Sequence, residues 1–473
     1  MPEDDIKNLT ASEGNNTLGD TIAALATPPG TGAIGIIKIS GEEAVSIVSR
    51  LFHSKKGRPA GSFQNFRLYL GTIIDPQTQK PLDEAMAVVM RSPHSYTGED
   101  VVEIQLHGGY FVARRVLELV LREGALPAPP GEFTRRAFLN GRIDLTQAEA
   151  VAEIVSARSE KALEQAFRTL SGELGNQIRN WEKTLVHLQA TIQADNDFPD
   201  IIEDDLETLF LNTLSEMKNE LEKAIAHGEK YRRLRDGFAV VIAGTPNVGK
   251  SSLFNAIIGT DRVIVTPYAG TTRDAIEETL MLEGYPVRLI DTAGVRPVDE
   301  PIERLGVATT QRYLEEADIV ILLFDATRPL QEDDISLAHK LSAKKIIPVL
   351  NKVDLPYNIS KQDISQHLSL DPIETSILQK QGIDVLLQSI VTKLQEKNSS
   401  DGFSLSLNER QSAIVYRTLC RVKDSIQSLE EGYPLDCAST YLTEALSTLR
   451  SLSGNEVEEA VIESLFRNFC TGK

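Results

Sequence analysis

The chain has 473 residues, of which 41% are hydrophobic, so it is long enough for about three domains with packed cores. Its 49 lysine and arginine residues are outnumbered by 68 aspartate and glutamate residues, which gives a formal net charge of −19. This balance excludes a surface that binds RNA indiscriminately through phosphate contacts, so any RNA contact must be local or shared with a partner.

The N-terminal region starts with a polar leader, residues 1–19, that has no apolar periodicity and is predicted to be flexible. In residues 20–138, strand-like runs at 35–39 and 101–106 alternate with a helical run at 111–121, which predicts a mixed α/β domain. The start lacks the features of a secretion signal, and the longest apolar runs are strand-sized. We therefore expect a cytoplasmic protein that does not insert into a membrane.

Residues 139–233 are predicted to be helical because turn signals are absent over long spans from residue 145, and residues 398–473 because an apolar stripe begins after a polar linker that ends at Gly402. The first region has one apolar face formed by Leu163, Ala166, Phe167 and Leu170, and a second formed by Leu185, Leu188 and Ile192. The second region has an apolar stripe formed by Ile414, Leu419, Val422 and Ile426. We expect one discontinuous helical domain, with residues 234–397 inserted between its helices.

The inserted segment contains the pattern G-x-x-x-x-G-K-[ST] at residues 244–251, directly after a strand-like run at 238–243. In such a loop, backbone N–H groups point at phosphate oxygens, and the following helix adds the positive end of its dipole. We expect Lys250 to reach the β and γ phosphates and the Ser251 hydroxyl to bind Mg²⁺. The alternative is a glycine-bearing turn between a strand and a helix.

Further motifs follow in the order expected of a doubly wound nucleotide-binding sheet. Asp291 ends a strand-like run and is expected near the Mg²⁺ shell, with the Gly294 amide near the γ-phosphate. The pattern N-K-x-D at 351–354 ends another strand, and the Asp354 carboxylate can accept both N1–H and N2–H of guanine. This pattern predicts GTP over ATP, although by itself it also fits a strand-to-helix turn with Asp as the N-cap.

The loop at residues 270–274 is rich in hydroxyl groups, and Thr272 is the candidate for a second Mg²⁺ ligand. Val295 follows Gly294, so the glutamine that orients water in many GTPases is absent at this position. One carboxylate of the acidic run 299–303 can take over that task, and a solvated charge run is the alternative.

The chain ends in a predicted helix with Asn455 as its N-cap, Glu458 three residues later, and an apolar stripe formed by Val457, Val461, Leu465 and Phe469. Cys470 falls in the final turn and Lys473 follows it. An isolated cysteine of this kind can simply fill space as a small hydrophobe. The three cysteines have no C-x-x-C spacing, which predicts neither a disulfide nor a zinc site.

Three short basic clusters are candidate contacts for RNA, and the alternative is that they are ordinary solvated surface. They are Arg114 with Arg115, Arg135 and Arg136 with Arg142, and Arg232, Arg233 and Arg235.

The ordered nucleotide motifs resemble those of the potassium-activated, TrmE-Era-EngA-like GTPases. Flanking segments make the chain similar to the MnmE (TrmE) family of tRNA-uridine modification GTPases, at residues 20–30, 96–100, 107–109, 130–141 and 469–473. The resemblance spans nearly the whole chain. It implies an N-terminal α/β domain that binds folate and dimerises, a discontinuous helical domain, and an inserted Ras-like P-loop GTPase domain with a doubly wound sheet.

The resemblance implies a GTP-binding set of Asn247, Val248, Gly249, Lys250, Ser251, Ser252, Thr266, Thr271, Thr272, Asp291, Thr292, Ala293, Gly294, Asn351, Lys352, Asp354 and Ser376. It implies a K⁺ ion, in place of an arginine finger, bound by Asn247, Thr266, Tyr268 and Thr271. The family's water-orienting glutamate matches Glu303. The expected catalytic residues are Glu303, Cys470, Asp291 and Lys250.

The resemblance also implies a 5-formyltetrahydrofolate-type cofactor in a fold similar to that of the glycine-cleavage aminomethyltransferase. Its expected binding residues are Lys38, Glu103, Arg142 and Lys473. Lys38 stands where the family usually has arginine, so it would pair with a folate carboxylate less rigidly than a guanidinium does. Without the resemblance, Lys38 and Glu103 are equally well read as exposed strand residues. The family's C-terminal cysteine matches Cys470, although Thr471 replaces the usual isoleucine.

The function implied is that of a homodimeric GTP hydrolase acting with an FAD- and NADH-dependent MnmG (GidA) partner in a heterotetramer. The two proteins would add a carboxymethylaminomethyl or aminomethyl group at C5 of the wobble uridine of certain tRNAs, with the one-carbon unit coming from the folate. One alternative is a GTP-controlled scaffold for RNA or ribosome assembly without one-carbon chemistry. Another is a folate-dependent aminomethyl transferase that GTP merely regulates.

Overall fold

The computed structural model describes residues 19–197, 206–260, 264–265, 276–291, 311–342, 344–398, 405–454, 456–467, 469 and 472. The predicted leader lies outside these residues except for Gly19. The chain divides into two compact units, the first formed by Met1–Ala152, Thr169–Phe210 and Asp424–Lys473 and the second by Glu153–Arg168 and Leu211–Lys423. The domain boundaries expected near residues 138, 233 and 397 stay predictions.

The described residues of the first unit form a sheet of seven strands, in the order β3-β4-β5-β6-β2-β1-β7. The strands are β1 (Ile22–Leu25), β2 (Ile34–Ser40), β3 (Phe52–Ser54), β4 (Leu68–Ile74), β5 (Pro81–Met90), β6 (Val101–His107) and β7 (Leu126–Pro127). Neighbouring strands are antiparallel apart from β1 and β7. In β2, Ile37 and Ile39 are buried while Lys38 between them faces the other side, as the two-residue period of a strand requires.

Helices α1 (Ala44–Leu51) and α2 (Tyr110–Arg122) pack on one face of this sheet through Ile47, Val48, Val116 and Val120, which are all fully buried. The opposite face carries exposed apolar side chains, among them Leu68, Leu70 and Met86. The strands predicted at 35–39 and 101–106 and the helix predicted at 111–121 are therefore confirmed.

The first unit also contains α3 (Glu132–Leu139), α6 (Glu173–Asp197), α13 (Leu435–Ser453) and α14 (Glu459–Phe466). Helices α6 and α13 run antiparallel, because Gln189 Nε2 donates to Thr443 Oγ1 (2.8 Å) and Asn196 Nδ2 to Asp436 Oδ1 (2.6 Å). Leu185, Leu188 and Ile192 are buried in α6, as predicted.

Two expectations for helices were wrong. In α5 (Glu160–Leu170), Ala162, Ala166 and Thr169 are buried, whereas Leu163 and Phe167 are 45% and 61% exposed. The buried face is rotated by one residue from the predicted one and is formed by small side chains. The last helix starts at Glu459 with Glu458 as its N-cap, and Phe466 is its buried residue while Val461 is exposed. The predicted N-cap, Asn455, lies outside the described residues.

The second unit is built on another sheet of seven described strands, in the order β14-β13-β12-β8-β11-β10-β9. The strands are β8 (Phe238–Ala243), β9 (Ile264–Val265), β10 (Ile276–Leu282), β11 (Tyr285–Asp291), β12 (Ile319–Asp325), β13 (Ile346–Asn351) and β14 (Ile373–Thr375). The strands from β14 to β11 are parallel, and β10 is antiparallel to both of its neighbours. Every residue of β8 and of β12 is buried, as expected when helices cover both faces.

The helices of this sheet are α8 (Lys250–Ile258), α9 (Glu332–Lys340), α10 (Lys361–Leu368) and α11 (Ile383–Asn398). Apolar clusters lie on both faces of the sheet, which confirms the doubly wound class. Helices α4 (Leu145–Ser156), α7 (Leu206–Asp236) and α12 (Glu409–Glu430) and a short 3₁₀ helix (Ala60–Ser62) complete the described elements. Ile414, Leu419, Val422 and Ile426 are buried in α12, as predicted.

Candidate functional site

The loop between β8 and α8 contains two glycines, and both have positive φ angles. Gly244 and Gly249 have φ angles of +152° and +105°. A Cβ at Gly249 would lie 2.6 Å from Asn351 Nδ2, and one at Gly244 would lie 2.8 Å from the carbonyl oxygen of Leu323. Both glycines are therefore required by conformation and by space, and the predicted phosphate-binding loop is the structure that these residues form.

Lys250, the first residue of α8, folds back over this loop. Its Nζ donates hydrogen bonds to the carbonyl oxygens of Gly244 (2.9 Å) and Thr245 (3.0 Å). Burial lowers the pKa of Lys250, and the Asp291 carboxylate opposes part of this shift. Asp291 is fully buried at the end of β11, whereas Ser251 is exposed on the first turn of α8. A cation, a buried carboxylate and an accessible hydroxyl thus meet at one end of the sheet.

The N-K-x-D motif is joined to the same loop. Asn351 is 2% exposed and its Nδ2 donates to the Val248 carbonyl oxygen at 2.9 Å. Lys352 Nζ donates to the Asn247 carbonyl oxygen, also at 2.9 Å. The motif is therefore more than a helix N-cap, because its first two side chains hold the phosphate loop.

The remaining base-recognition residues lie at the ends of β13 and β14. Asp354 is partly exposed in the turn after β13, and the neighbouring Val353 N–H donates to the Thr375 carbonyl oxygen at 3.3 Å. Ser376 is fully buried and exchanges backbone hydrogen bonds of 3.1 and 2.9 Å with Gln381. The carboxyl edge of the parallel strands thus gathers the described residues that were predicted to bind GTP, as a doubly wound fold requires.

Asp325, at the end of β12, was missed by the sequence analysis. Its Oδ2 accepts a hydrogen bond from Lys352 Nζ at 2.6 Å, and its Oδ1 accepts from the Thr327 N–H and hydroxyl at 2.9 and 2.7 Å. Burial alone would raise the pKa of Asp325, but these hydrogen bonds outweigh it and lower the pKa. One signal was present, since Asp325 ends an apolar strand just as Asp291 and Asn351 do.

Many predicted residues of the GTP site and the C-terminus lie outside the described residues. They are Thr266, Tyr268, Thr271, Thr272, Thr292, Ala293, Gly294, Glu303, Cys470 and Lys473.

A second group of predicted residues lies in the N-terminal sheet of the first unit. Lys38 of β2 and Glu103 of β6 are directly opposite each other in register. Lys38 Nζ lies 4.2 Å from the centroid of the Tyr96 ring and 4.8 Å from that of Phe133. Burial raises the pKa of Tyr96, while its hydrogen bond to Thr134 and the positive charge of Arg142 act against this rise. Lys38 thus lies beside the Tyr96 ring and opposite Glu103, and the charge of Arg142 acts on Tyr96.

Residues on both sides of Cys470 lie against the N-terminal sheet and its loops. Gly131 has a φ of +73°, and a Cβ there would come within 2.6 Å of the Phe466 carbonyl oxygen and 3.0 Å of Phe469 Cβ. Gly472 is buried, and a Cβ on it would lie 2.8 Å from the Leu25 carbonyl oxygen. Phe466 and Phe469 therefore pack closely at the start of α3, and Gly472 packs beside the end of β1.

Each of the three basic clusters considered as RNA contacts has members that form ion pairs within the chain. Arg136 is 1% exposed and its Nη1 and Nε pair with Glu99 (3.0 Å) and Glu132 (3.1 Å). Arg114 and Arg115 both pair with Glu118, and Arg233 pairs with Asp318. Buried Arg136 is neither RNA-binding nor solvated surface, because its charge is neutralised inside the fold.

Among the helices in the described part of the chain, none is long and apolar enough to cross a membrane.

The doubly wound sheet, the phosphate loop and the base-recognition motif at its carboxyl edge define a P-loop GTPase. Residues 21–142 match the family model described as the GTP-binding protein TrmE N-terminus, and residues 145–470 match that of the MnmE helical domain. The chain therefore belongs to the MnmE family of tRNA modification GTPases and is a GTP hydrolase of tRNA modification.

Curated relatives agree with this assignment. A tRNA modification GTPase MnmE from Syntrophobacter fumaroxidans is 43% identical over 464 residues, which cover 96% of this chain and 98% of the relative. The proteins of the same name from Lactobacillus acidophilus and Geobacillus kaustophilus are 39% and 40% identical over 461 residues, 96% of this chain and 98% and 99% of theirs.

Proposed function

We propose that this GTPase acts with an FAD- and NADH-dependent partner of the MnmG family to modify C5 of the wobble uridine in certain tRNAs. The group added is carboxymethylaminomethyl or aminomethyl, and its one-carbon unit comes from a 5-formyltetrahydrofolate-type cofactor. The observation that carries the proposal is the packing of Phe469 against Gly131 and of Gly472 against Leu25. This packing brings the residues that flank Cys470 to the domain that contains the predicted folate residues.

The chemistry of the N-terminal residues fits a folate. A folate has an acidic tail and a planar ring with N–H donors, and it supplies the one-carbon unit when bound. Lys38 and Arg142 offer positive charge to the tail, and Glu103 offers an acceptor to the ring. The Tyr96 and Phe133 rings, at 4.2 and 4.8 Å from the Lys38 ammonium, hold this cation through its attraction to their π faces. Lys473 is proposed as a further contact, and Cys470 acts directly or by positioning.

In the GTPase unit, Lys250 binds the β and γ phosphates, while Ser251 and Thr272 are proposed Mg²⁺ ligands. Lys250 Nζ lies within 3.0 Å of the loop carbonyl oxygens of Gly244 and Thr245, so its charge is close to where phosphates would enter. We also propose that Asn247, Thr266, Tyr268 and Thr271 bind K⁺, which would neutralise charge that develops on the phosphates. Glu303 is proposed to orient the attacking water.

The N-terminal sheet is the proposed homodimer interface. Its open face exposes Leu68 by 50%, Leu70 by 45% and Met86 by 37%. Neighbouring strands β4 and β5 place these side chains together, since Leu70 is opposite Met86 in register. A contiguous apolar patch of this kind favours pairing with another surface. One such homodimer would join two MnmG-family subunits to form a heterotetramer in the cytoplasm.

The proposal is tested by nucleoside analysis of tRNA from cells that lack this protein and are complemented with variants. Wild-type protein is expected to restore the wobble modification, Cys470→Ser to fail, and Cys437→Ser to succeed, because Cys437 is an exposed cysteine on α13. A full wobble modification profile in the deletion strain would refute the proposal. A profile restored by Cys470→Ser would refute the role of the C-terminal thiol and favour a GTP-controlled scaffold.

A further inference from the structure

Thr245, the second residue of the phosphate loop, has a buried side chain that forms hydrogen bonds outside the loop. Its side chain is buried, with 9% exposure of the residue, and its hydroxyl donates a hydrogen bond to Asp334 Oδ1 at 2.8 Å. The same hydroxyl oxygen accepts a hydrogen bond from Arg328 Nη2. A variable position of the loop motif is therefore joined to two charged side chains from the segment between β12 and α9.

The charged partners are themselves held in place. Asp334 is 5% exposed, its Oδ1 lies 3.2 Å from Arg328 Nη2, and its Oδ2 accepts from the Gln331 N–H at 3.1 Å. The last contact belongs to a capping box at the start of α9. A buried ion pair contributes to rigidity when its polar atoms are all hydrogen-bonded, as they are on Asp334.

The two halves of the phosphate loop depend on different anchors. The second half is held from the base-recognition motif, through Lys352 to the Asn247 carbonyl and through Asn351 to the Val248 carbonyl. The carbonyl oxygens of the first half, Gly244 and Thr245, are held by Lys250. When Lys250 turns toward phosphates, these bonds weaken, and the Thr245 hydroxyl remains as the side-chain anchor of the first half.

We propose that Arg328 and Asp334 are positioning residues for GTP that act through Thr245 and keep the first half of the phosphate loop in its phosphate-binding conformation. The inference rests on nucleotide binding by this GTPase and is independent of folate and tRNA chemistry. Both charged side chains bond to the Thr245 hydroxyl, so their effect on GTP passes through the phosphate loop.

Thr245→Val tests the proposal, because valine has nearly the shape of threonine and lacks the hydroxyl. The Kd values of Thr245→Val for fluorescent GDP and for a fluorescent, non-hydrolysable GTP analogue are each expected to rise about tenfold. This is the effect of losing a hydrogen bond to a charged group. KM should rise similarly while kcat changes less than about twofold. Thr245→Ser keeps the hydroxyl and is expected to restore wild-type affinity.

Thr260→Val is the matched control, since the Thr260 hydroxyl donates to the Ile257 carbonyl oxygen at the end of α8, within the same unit. It is expected to leave both Kd values unchanged. Wild-type affinity in Thr245→Val, or an equal loss in Thr260→Val, overturns the proposal. If Thr245→Val fails to fold, Arg328→Gln is measured in the same way, and wild-type affinity there overturns it equally.

Discussion

The Lys352 ammonium lies 2.6 Å from Asp325 Oδ2, and it donates at the same time to the Asn247 carbonyl oxygen. One lysine thus joins the base-recognition motif to the phosphate loop and to the end of β12. The Asp325 carboxylate fixes the direction of this lysine, because it is 7% exposed and makes its other hydrogen bonds to Thr327. We therefore expect nucleotide affinity to depend on Asp325, a residue that belongs to none of the sequence motifs.

Asp325→Asn is expected to weaken binding of both GDP and GTP by about tenfold, since it removes the charge that holds Lys352 in position. Stopped-flow release of a fluorescent nucleotide measures the effect. Asp371→Asn is the control, because Asp371 pairs with Lys361 at 2.9 Å but is 80% exposed, and such pairs contribute little. Equal nucleotide release rates in Asp325→Asn and wild type would contradict the role of this carboxylate.

The same carboxylate predicts a pH dependence of stability. Its pKa in the folded chain is held below the ordinary value of 3.8, so its contribution to stability is present above that value and is lost as the pH falls through the folded pKa. The melting temperature of wild type should therefore exceed that of Asp325→Asn near neutral pH, and the difference should shrink as the pH approaches about 3. A difference that stays constant over this range would argue against the charged hydrogen bonds as its source.

The Asp354 carboxylate is expected to select guanine. Asp354→Asn replaces an acceptor with a side chain that suits xanthine, so GTP affinity should fall by at least about tenfold while xanthosine triphosphate binds better than GTP. Competition of the two nucleotides against a fluorescent analogue measures this preference. Asp333→Asn, on the exposed first turn of α9, provides a control that should keep the preference for GTP. Unchanged GTP affinity in Asp354→Asn would remove the basis for specificity.

Lys38→Gln is expected to weaken binding of 5-formyltetrahydrofolate by about tenfold and to leave GTP hydrolysis at the wild-type rate. The reason is that Lys38 supplies positive charge beside Tyr96 and Phe133, while the phosphate loop belongs to the other compact unit. Calorimetric titration with the folate and a phosphate-release assay measure the two effects. Lys80→Gln removes an exposed lysine between β4 and β5 as the control. If Lys38→Gln binds the folate as tightly as wild type does, Lys38 is not part of the folate site.

The sequence predicted those site residues whose structural role depends on neighbours in the sequence, and it missed residues whose role depends on distant ones. Gly244, Gly249 and Lys250 were predictable because a phosphate loop needs these residues at fixed spacing. Asp325 was missed, because its position at a strand end does not by itself show the bond to Lys352, which is distant in sequence. The face of α5 was predicted wrongly, since periodicity does not distinguish a stripe through Leu163 and Phe167 from one through Ala162 and Ala166.

The start of the last helix was predicted wrongly for a related reason. A capping pattern is a local signal, and the observed start at Glu459 accompanies packing of Phe466 against Gly131, a contact between distant parts of the chain. The Lys38, Glu103 and Arg142 set was predicted through resemblance alone, because charges on separate strands and loops leave no spacing pattern in a sequence. The position of Lys38 beside Tyr96 and opposite Glu103, and the effect of the Arg142 charge on Tyr96, became visible only in the fold.

Gly131→Ala is expected to loosen the C-terminal segment. The new Cβ would meet the Phe466 carbonyl oxygen at 2.6 Å, and alanine is also disfavoured at a φ of +73°. Faster proteolysis of the C-terminus and loss of wobble modification should follow, with GTP hydrolysis retained. Gly57→Ala separates the two causes, because Gly57 has a φ of +66° with no atom within 4 Å of its added Cβ. Gly57→Ala introduces the same backbone strain but should keep the wobble modification. An equal loss of modification in both variants would show that backbone strain is responsible, and not the docking of the segment that contains Cys470.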